Sequence, residues 1–281
     1  MIIDGHAHAC GEFLKSESII DKLDKAGVDK VILVPGELES TKNYVLPDLA
    51  SFFPTKNVVK LTNLLTKFVM KITSTVRQIP EGNEYVYNLT KESEDRIIQF
   101  IWITQQIEKP DKYLSEKLLD WNFKGIKLHQ CWESYAINSD FFKIVAKWTE
   151  KNNLPLFIHL YSDRDVKQLI DYKKKHPNLK LIVAHLFGLE IFIKQNYKDE
   201  NLYFDTSTLQ LTSTKRLISA IKFAGAERIM LGSDTPYGKG NLEKNINRIN
   251  NLNISTSEKN LILGENMKKL LKLSNPSVAP I

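Results

Sequence analysis

Of the six histidines in this 281-residue chain, five stand where chemistry is easy to build. His6 and His8 form a His-x-His pair in Met1-Ile2-Ile3-Asp4-Gly5-His6-Ala7-His8. Side chains two apart on a strand share a face, so Asp4, His6 and His8 are expected on one side. Two imidazoles held together are costly as cations but serve well as neutral donors to one metal ion. His129, His159 and His185 each fall at the C-terminal end of an apolar run, 123–130, 154–160 and 179–186. Asp234 follows the apolar run 228–231 in Gly232-Ser233-Asp234. His176, in Lys174-Lys175-His176-Pro177, reads instead as a surface-loop residue with no chemical role.

Nitrogen ligands with one carboxylate suit Zn²⁺ and would also accept Fe²⁺, Mn²⁺ or Co²⁺. A carboxylate in such a set binds the ion and accepts a proton from water that the ion acidifies. On this reading His185 orients the water or steadies an oxyanion. Each residue alone has an ordinary structural explanation: His159 as a hydrogen-bonded core histidine, Asp234 as the cap of the turn 234–238. The order of all five along successive strand ends favours the metal.

Those ends need elements to carry them. Apolar runs that read as strands are Met1–His8, Asp29–Pro35, Arg96–Ile103, Phe123–His129, Leu154–Leu160, Leu179–His185, Leu202–Asp205 and Arg228–Ser233. Between them, apolar residues recur at spacings of three and four over Ser16–Ala26, Asp111–Trp121, Asp140–Lys151, Asp163–Lys174 and Ser213–Ala224, which predicts amphipathic helices. Gly27 is placed as a C-cap, and Ser139 and Ser162 as N-caps. Continuous apolar strands alternating with helices imply parallel strands covered on both faces. Eight such units predict an α/β fold, a closed (β/α)₈ TIM barrel whose strand ends converge on one mouth. The chain reads as one domain over 1–281, with a helical insertion after strand 2 at about 36–95. That insertion holds an expected helix over 56–76, with Val58, Val59, Leu61, Leu64, Leu65, Phe68, Val69 and Ile72 on a broad apolar face and Lys56, Lys60, Lys67 and Lys71 elsewhere. It reads as a cap or subunit contact, or as a helix lying on a membrane surface. The regular second helix is expected around 84–91.

The composition agrees with a soluble globular protein: 42% hydrophobic, 26% charged. Two isolated cysteines, Cys10 and Cys131, suggest a reducing, cytoplasmic setting rather than a disulfide framework. No signal peptide or stable membrane span is expected. A net charge of +6 invites nucleic acid, but the lysines lie on helical stretches and no nucleic-acid motif accompanies them.

The pieces Ile3-Asp4-Gly5-His6-Ala7-His8, Gly125-Ile126-Lys127-Leu128-His129, Ile158-His159, Ala184-His185 and Leu231-Gly232-Ser233-Asp234-Thr235-Pro236, with the closing stretch 262–271, resemble the amidohydrolase superfamily. Within it they resemble the amidohydrolase-related group that includes metal-dependent decarboxylases. The resemblance implies a (β/α)₈ barrel with one or two divalent metals, Zn²⁺ foremost. In the one-metal form, which is favoured, His6, His8, His159 and Asp234 are the ligands and His185 acts on water or substrate. In the two-metal form Lys127 becomes a carbamate bridging both ions, and His159 and His185 hold the second. Otherwise Lys127 binds substrate or pairs with an acid, and His129 contacts substrate or moves a proton.

Three functions follow as expectations. The first is metal-dependent hydrolysis of a small carbonyl compound (amide, lactone or related ester), with Asp234 and His185 catalytic. The second is non-oxidative decarboxylation of a small aromatic or dienoic acid on the same scaffold. The third is a non-catalytic binding or membrane-surface module. The expected partner is a small-molecule substrate, with a homo-oligomer compatible and nucleic acid not expected.

Overall fold

A computed structural model describes residues 1–42, 45–73 and 75–274. Eight strands run parallel in sequence order: β1 Ile3–Ala9, β2 Lys30–Pro35, β3 Ile97–Trp102, β4 Gly125–His129, β5 Pro155–His159, β6 Lys180–Val183, β7 Leu202–Asp205 and β8 Ile229–Met230. The last is shorter than its apolar run predicts. Past Met230 the backbone turns back to the first strand: Gly5 N donates to Leu231 O at 2.9 Å, and His8 N to Thr235 O at 2.8 Å. A parallel bridge between Ala7 and Thr235 joins the two edges, so the sheet comes round as a TIM barrel.

Helices α1 Ser16–Ala26, α2 Leu49–Phe52, α3 Val59–Thr73, α4 Ile79–Lys91, α5 Pro110–Trp121, α6 Asp140–Lys151, α7 Asp163–Lys175, α8 Leu189–Lys194, α9 Thr214–Ala224, α10 Asn241–Asn250, α11 Thr256–Asn260 and α12 Asn266–Leu271 accompany the strands. The predicted caps form. Gly27 closes α1 at φ 66°, Ser139 accepts from Phe142 N, and Ser162 with Asp165 makes a capping box.

Strand periodicity divides the core. Val31, Leu33, Ile126, Leu128, Leu156 and Ile158 face the helices, while Ile32, Ile98, Phe100, Phe157, Ile182 and Met230 plug the barrel. In the β4–β5 register Lys127 pairs with Phe157 and His129 with His159, so polar residues form the layer above the apolar plug.

The insertion differs in detail from its expected outline. Its long helix is α3, beginning at Val59, and the regular second helix, α4, starts at Ile79, with Pro80 in its first turn. Asn43, Tyr44 and Ser74, inside the expected insertion, lie outside the described residues. The apolar face of α3 is not what packs on the barrel: Val59, Asn63 and Met70 are buried, while Leu61, Leu64, Leu65, Phe68 and Ile72 face solvent.

Candidate active site

The C-terminal ends of β1, β4 and β5, and the turns after β6 and β8, bring His6, His8, Lys127, His129, His159, His185 and Asp234 to one mouth. All are buried. Asp4 does not join them. The register of β1 shifts between Asp4 and Ala7, and the Asp4 carboxylate accepts from Ser233 N at 2.8 Å and Ser233 Oγ at 2.6 Å. It ties the first strand to the last. Burial raises its pKa to about 7, against the pull of Ser233.

The hydrogen-bond network assigns each ring's proton. His8 Nδ1 meets Pro35 O at 2.8 Å, and a carbonyl can only accept, so Nδ1 carries the hydrogen. His185 Nδ1 meets Ser207 O at 2.8 Å in the same way. His6 Nδ1 lies 3.0 Å from Ser207 Oγ and 3.3 Å from Asp205 Oδ2, while the Ser207 hydroxyl itself donates to Asp205. Asn63 on α3 donates its amide to Leu160 O and Tyr161 O, which turns its Oδ1 toward His159 Nε2 at 2.8 Å. With the hydrogen on the other ring nitrogen, His6, His8 and His185 present Nε2 as an acceptor, and His159 presents Nδ1. His129 is opposite: its Nδ1 accepts from Cys131 N and Trp132 N at 3.1 and 3.3 Å, leaving the proton on Nε2.

These acceptors face one another. His6 Nε2 and His8 Nε2 lie 3.4 and 3.2 Å from Asp234 Oδ1. His159 Nδ1 lies 3.1 Å from His185 Nε2. Buried lone pairs set against lone pairs repel unless a cation or a shared proton stands among them. Lys127 supplies a hydrogen to one of them, with Nζ 3.0 Å from His6 Nε2 and above the Phe157 ring at 4.1 Å. Burial lowers its pKa to about 8, although Asp234 and Asp205 oppose that. Burial also holds His6, His129 and His159 well below the usual imidazole value, in the neutral form that ligation requires.

Among the described residues, three groups bring ligand atoms within 4.8 Å of one another: His6–His8–Asp234, His6–His185–Asp205 and His129–Cys131–His159. The last fits an ion poorly. Burial pushes the Cys131 thiol far up, and His129 Nδ1 already serves two backbone donors. In the second, the His6–Asp205 contact is a support: a carboxylate behind a histidine fixes its ring and raises its basicity. The first fits best, with hard oxygen and neutral imidazole donors aimed at one point.

Sequence reasoning passed over two contributors. Asp205 ends β7 at the same level as the histidines, and it also accepts from His185 N and Ser207 N, each at 3.2 Å. Its position at a strand end was the available signal. Asn63 carried none, because nothing local says that α3 turns its amide toward strand five. Close packing serves the same cluster. A Cβ on Gly232 would stand 2.0 Å from Asp205 Oδ1 and 3.0 Å from His6 Cβ. Backbone strain gathers here as well, with His185 and Asp234 left-handed at φ 57° and 59°.

Barrel, mouth and ligand-type cluster define an enzyme of the amidohydrolase superfamily. The amidohydrolase family model matches residues 63–273, and the chain belongs to that family. The match begins after His6 and His8. No curated protein matches the chain. Solved structures share its fold at low identity. 2,6-Dihydroxybenzoate decarboxylase from Rhizobium is 16% identical at a TM-score of 0.68, covering 98% of this chain and 99% of its own. 5-Carboxyvanillate decarboxylase from Novosphingobium aromaticivorans, a D314N mutant with bound manganese, is 15% identical at 0.69, covering 97% of each chain. 4-Oxalomesaconate hydratase from Rhodopseudomonas palustris is 14% identical at 0.65, covering 97% and 96%.

Proposed function

We propose that this protein is a metal-dependent hydrolase of a small carbonyl compound, an amide, lactone or related ester. The observation that carries this reading is the convergence of three acceptors. His6 Nε2 and His8 Nε2 meet Asp234 Oδ1 at 3.4 and 3.2 Å, while the other nitrogen of each ring is held as a donor. These residues would hold one divalent cation, with His159 as a further ligand through Nδ1; Zn²⁺ suits the donor set. When bound, the ion supplies Lewis acidity toward a carbonyl oxygen and acidifies water.

The chain supplies the rest. Asp234 takes a proton from the attacking water and returns it to the leaving atom. His185, an acceptor at Nε2, orients that water. His129, a donor at Nε2, and the Lys127 ammonium face the oxygen on which charge develops. Trp102 stacks on His129 at 5.5 Å and 9°, and Tyr237 stands edge-on to His8 at 5.1 Å, which suits a planar substrate. Free, buried Cys10 and Cys131 accord with a reducing compartment such as the cytoplasm.

The aromatic wall beside a buried lysine favours a second reading, non-oxidative decarboxylation of a small unsaturated acid, with Lys127 receiving the carboxylate. Similar structures include decarboxylases of aromatic acids. The test is to incubate metal-loaded protein with panels of lactones, amides and aromatic acids, and to measure carbon dioxide and new carboxylate together. New carboxylate without gas supports hydrolysis, and gas supports the second reading. Turnover of neither panel by protein carrying about one equivalent of metal rejects both.

A further inference from the structure

The face of α3 opposite Asn63 is apolar and open. Leu61, Leu64, Leu65, Phe68 and Ile72 are each more than 60% exposed, and Phe52 and Phe53 at the end of α2 are 77% and 53% exposed. At 100° per residue these five α3 positions share one arc, and Val59, Asn63 and Met70 occupy the arc behind it. Lys60, Lys67 and Lys71 fall together along one edge. Two of them brace the helix: Lys60 Nζ lies 2.6 Å from Asp163, and Lys67 stands over the Tyr161 ring at 4.1 Å.

Charge identifies the occupant. Between residues 49 and 80 the chain carries Lys56, Lys60, Lys67, Lys71 and Arg77 and no aspartate or glutamate, so that stretch holds nearly all of the +6 net charge. Two copies meeting through α3 would oppose two such basic stretches. An anionic bilayer complements both features, taking the leucines and phenylalanines among its acyl chains and the lysines among its head groups. None of the described helices is long and apolar enough to cross a membrane, which leaves α3 lying in the surface plane. We propose that the protein docks on anionic phospholipid membranes through the exposed face of α3 and the adjoining phenylalanines. The inner face of the same helix reaches His159, so docking brings the barrel mouth to the lipid.

The experiment is co-sedimentation of the full chain with vesicles of phosphatidylcholine alone or with phosphatidylglycerol added, alongside analytical ultracentrifugation without lipid. Binding is expected with phosphatidylglycerol and not without it, weakening as salt rises. Leu65→Glu with Phe68→Glu should abolish it, and Lys56→Glu with Lys71→Glu should weaken it by about tenfold or more. All four side chains are on the surface, and circular dichroism checks that each variant is folded. Two outcomes overturn the proposal. One is wild-type protein that ignores phosphatidylglycerol vesicles. The other is a dimer that Leu65→Glu with Phe68→Glu splits into monomers, which assigns the face to a second copy.

Discussion

A carboxylate that moves a proton cannot be replaced by its amide, and Asp234 tests that at minimal structural cost. Asn has nearly the same volume and tolerates the left-handed conformation at φ 59°. Asp234→Asn should lower kcat by about 10²–10⁴-fold and leave the melting temperature within a few degrees, measured by turnover and calorimetry side by side. A variant with wild-type kcat removes Asp234 as the base. Lys127 makes the reverse trade. Its folded pKa of about 8 lies below the ordinary 10.5, so the folded chain sheds that proton before the unfolded chain does. Stability from this group is therefore lowest below pH 8 and recovers as pH rises from 8 to 10.5. At pH 7 Lys127→Met should stabilise the metal-free protein, by up to on the order of 3 kcal/mol, while impairing catalysis. A lysine variant less stable than wild type at pH 7 would show that the ammonium is well paired where it lies.

At the scale of elements, α3 separates what local pattern reveals from what tertiary contact decides. Helices α1, α6 and α7 were legible because amphipathic spacing, a serine or glycine cap and flanking charge agree within a dozen residues. The ligand-type residues His6, His8, His159, His185 and Asp234 could be picked out in the sequence because each lies at or just past the C-terminal end of an apolar run, and the barrel brings those ends to one mouth. The orientation of α3 was not legible, since its most apolar arc faces outward and its one buried amide faces in. Nor was the short β8, whose Gly232-Ser233 segment leaves the ladder to meet Asp4 and Asp205. Asn63 gives that helix a measurable role. Asn63→Leu leaves His159 Nε2, Leu160 O and Tyr161 O without their partner, at about 1–3 kcal/mol for each group that stays buried and unpaired. It also frees the ring to exchange tautomers. Metal affinity should fall about 10–100-fold in a chelator competition, with the protein still folded. Unchanged affinity would reduce Asn63 to a packing residue.

Across the whole molecule, the cluster stands on the barrel's seam. His6 and His8 come from the first strand and Asp234 from the turn after the last, where Asp234 N donates to His6 O at 2.6 Å. Since β8 has two ladder residues, the rest of the seam is the Ala7–Thr235 bridge, Gly5 N to Leu231 O, and the bonds from Ser233 to Asp4. A metal ion held by residues from both sides would cross-link the ends of the sheet, and the unfolded chain has no such site to bind with. Metal binding should then act as folding energy, about 2.7 kcal/mol when free ion stands at 100 times its dissociation constant. For a chain of this size that corresponds to roughly 5–10 °C in melting temperature. Stripping the protein with a chelator should lower Tm by about that much. Re-addition of Zn²⁺ or Mn²⁺ should restore it, and His6→Ala with His8→Ala should melt at one temperature whether or not ion is present. A double variant that still responds to metal would move the binding site off the seam.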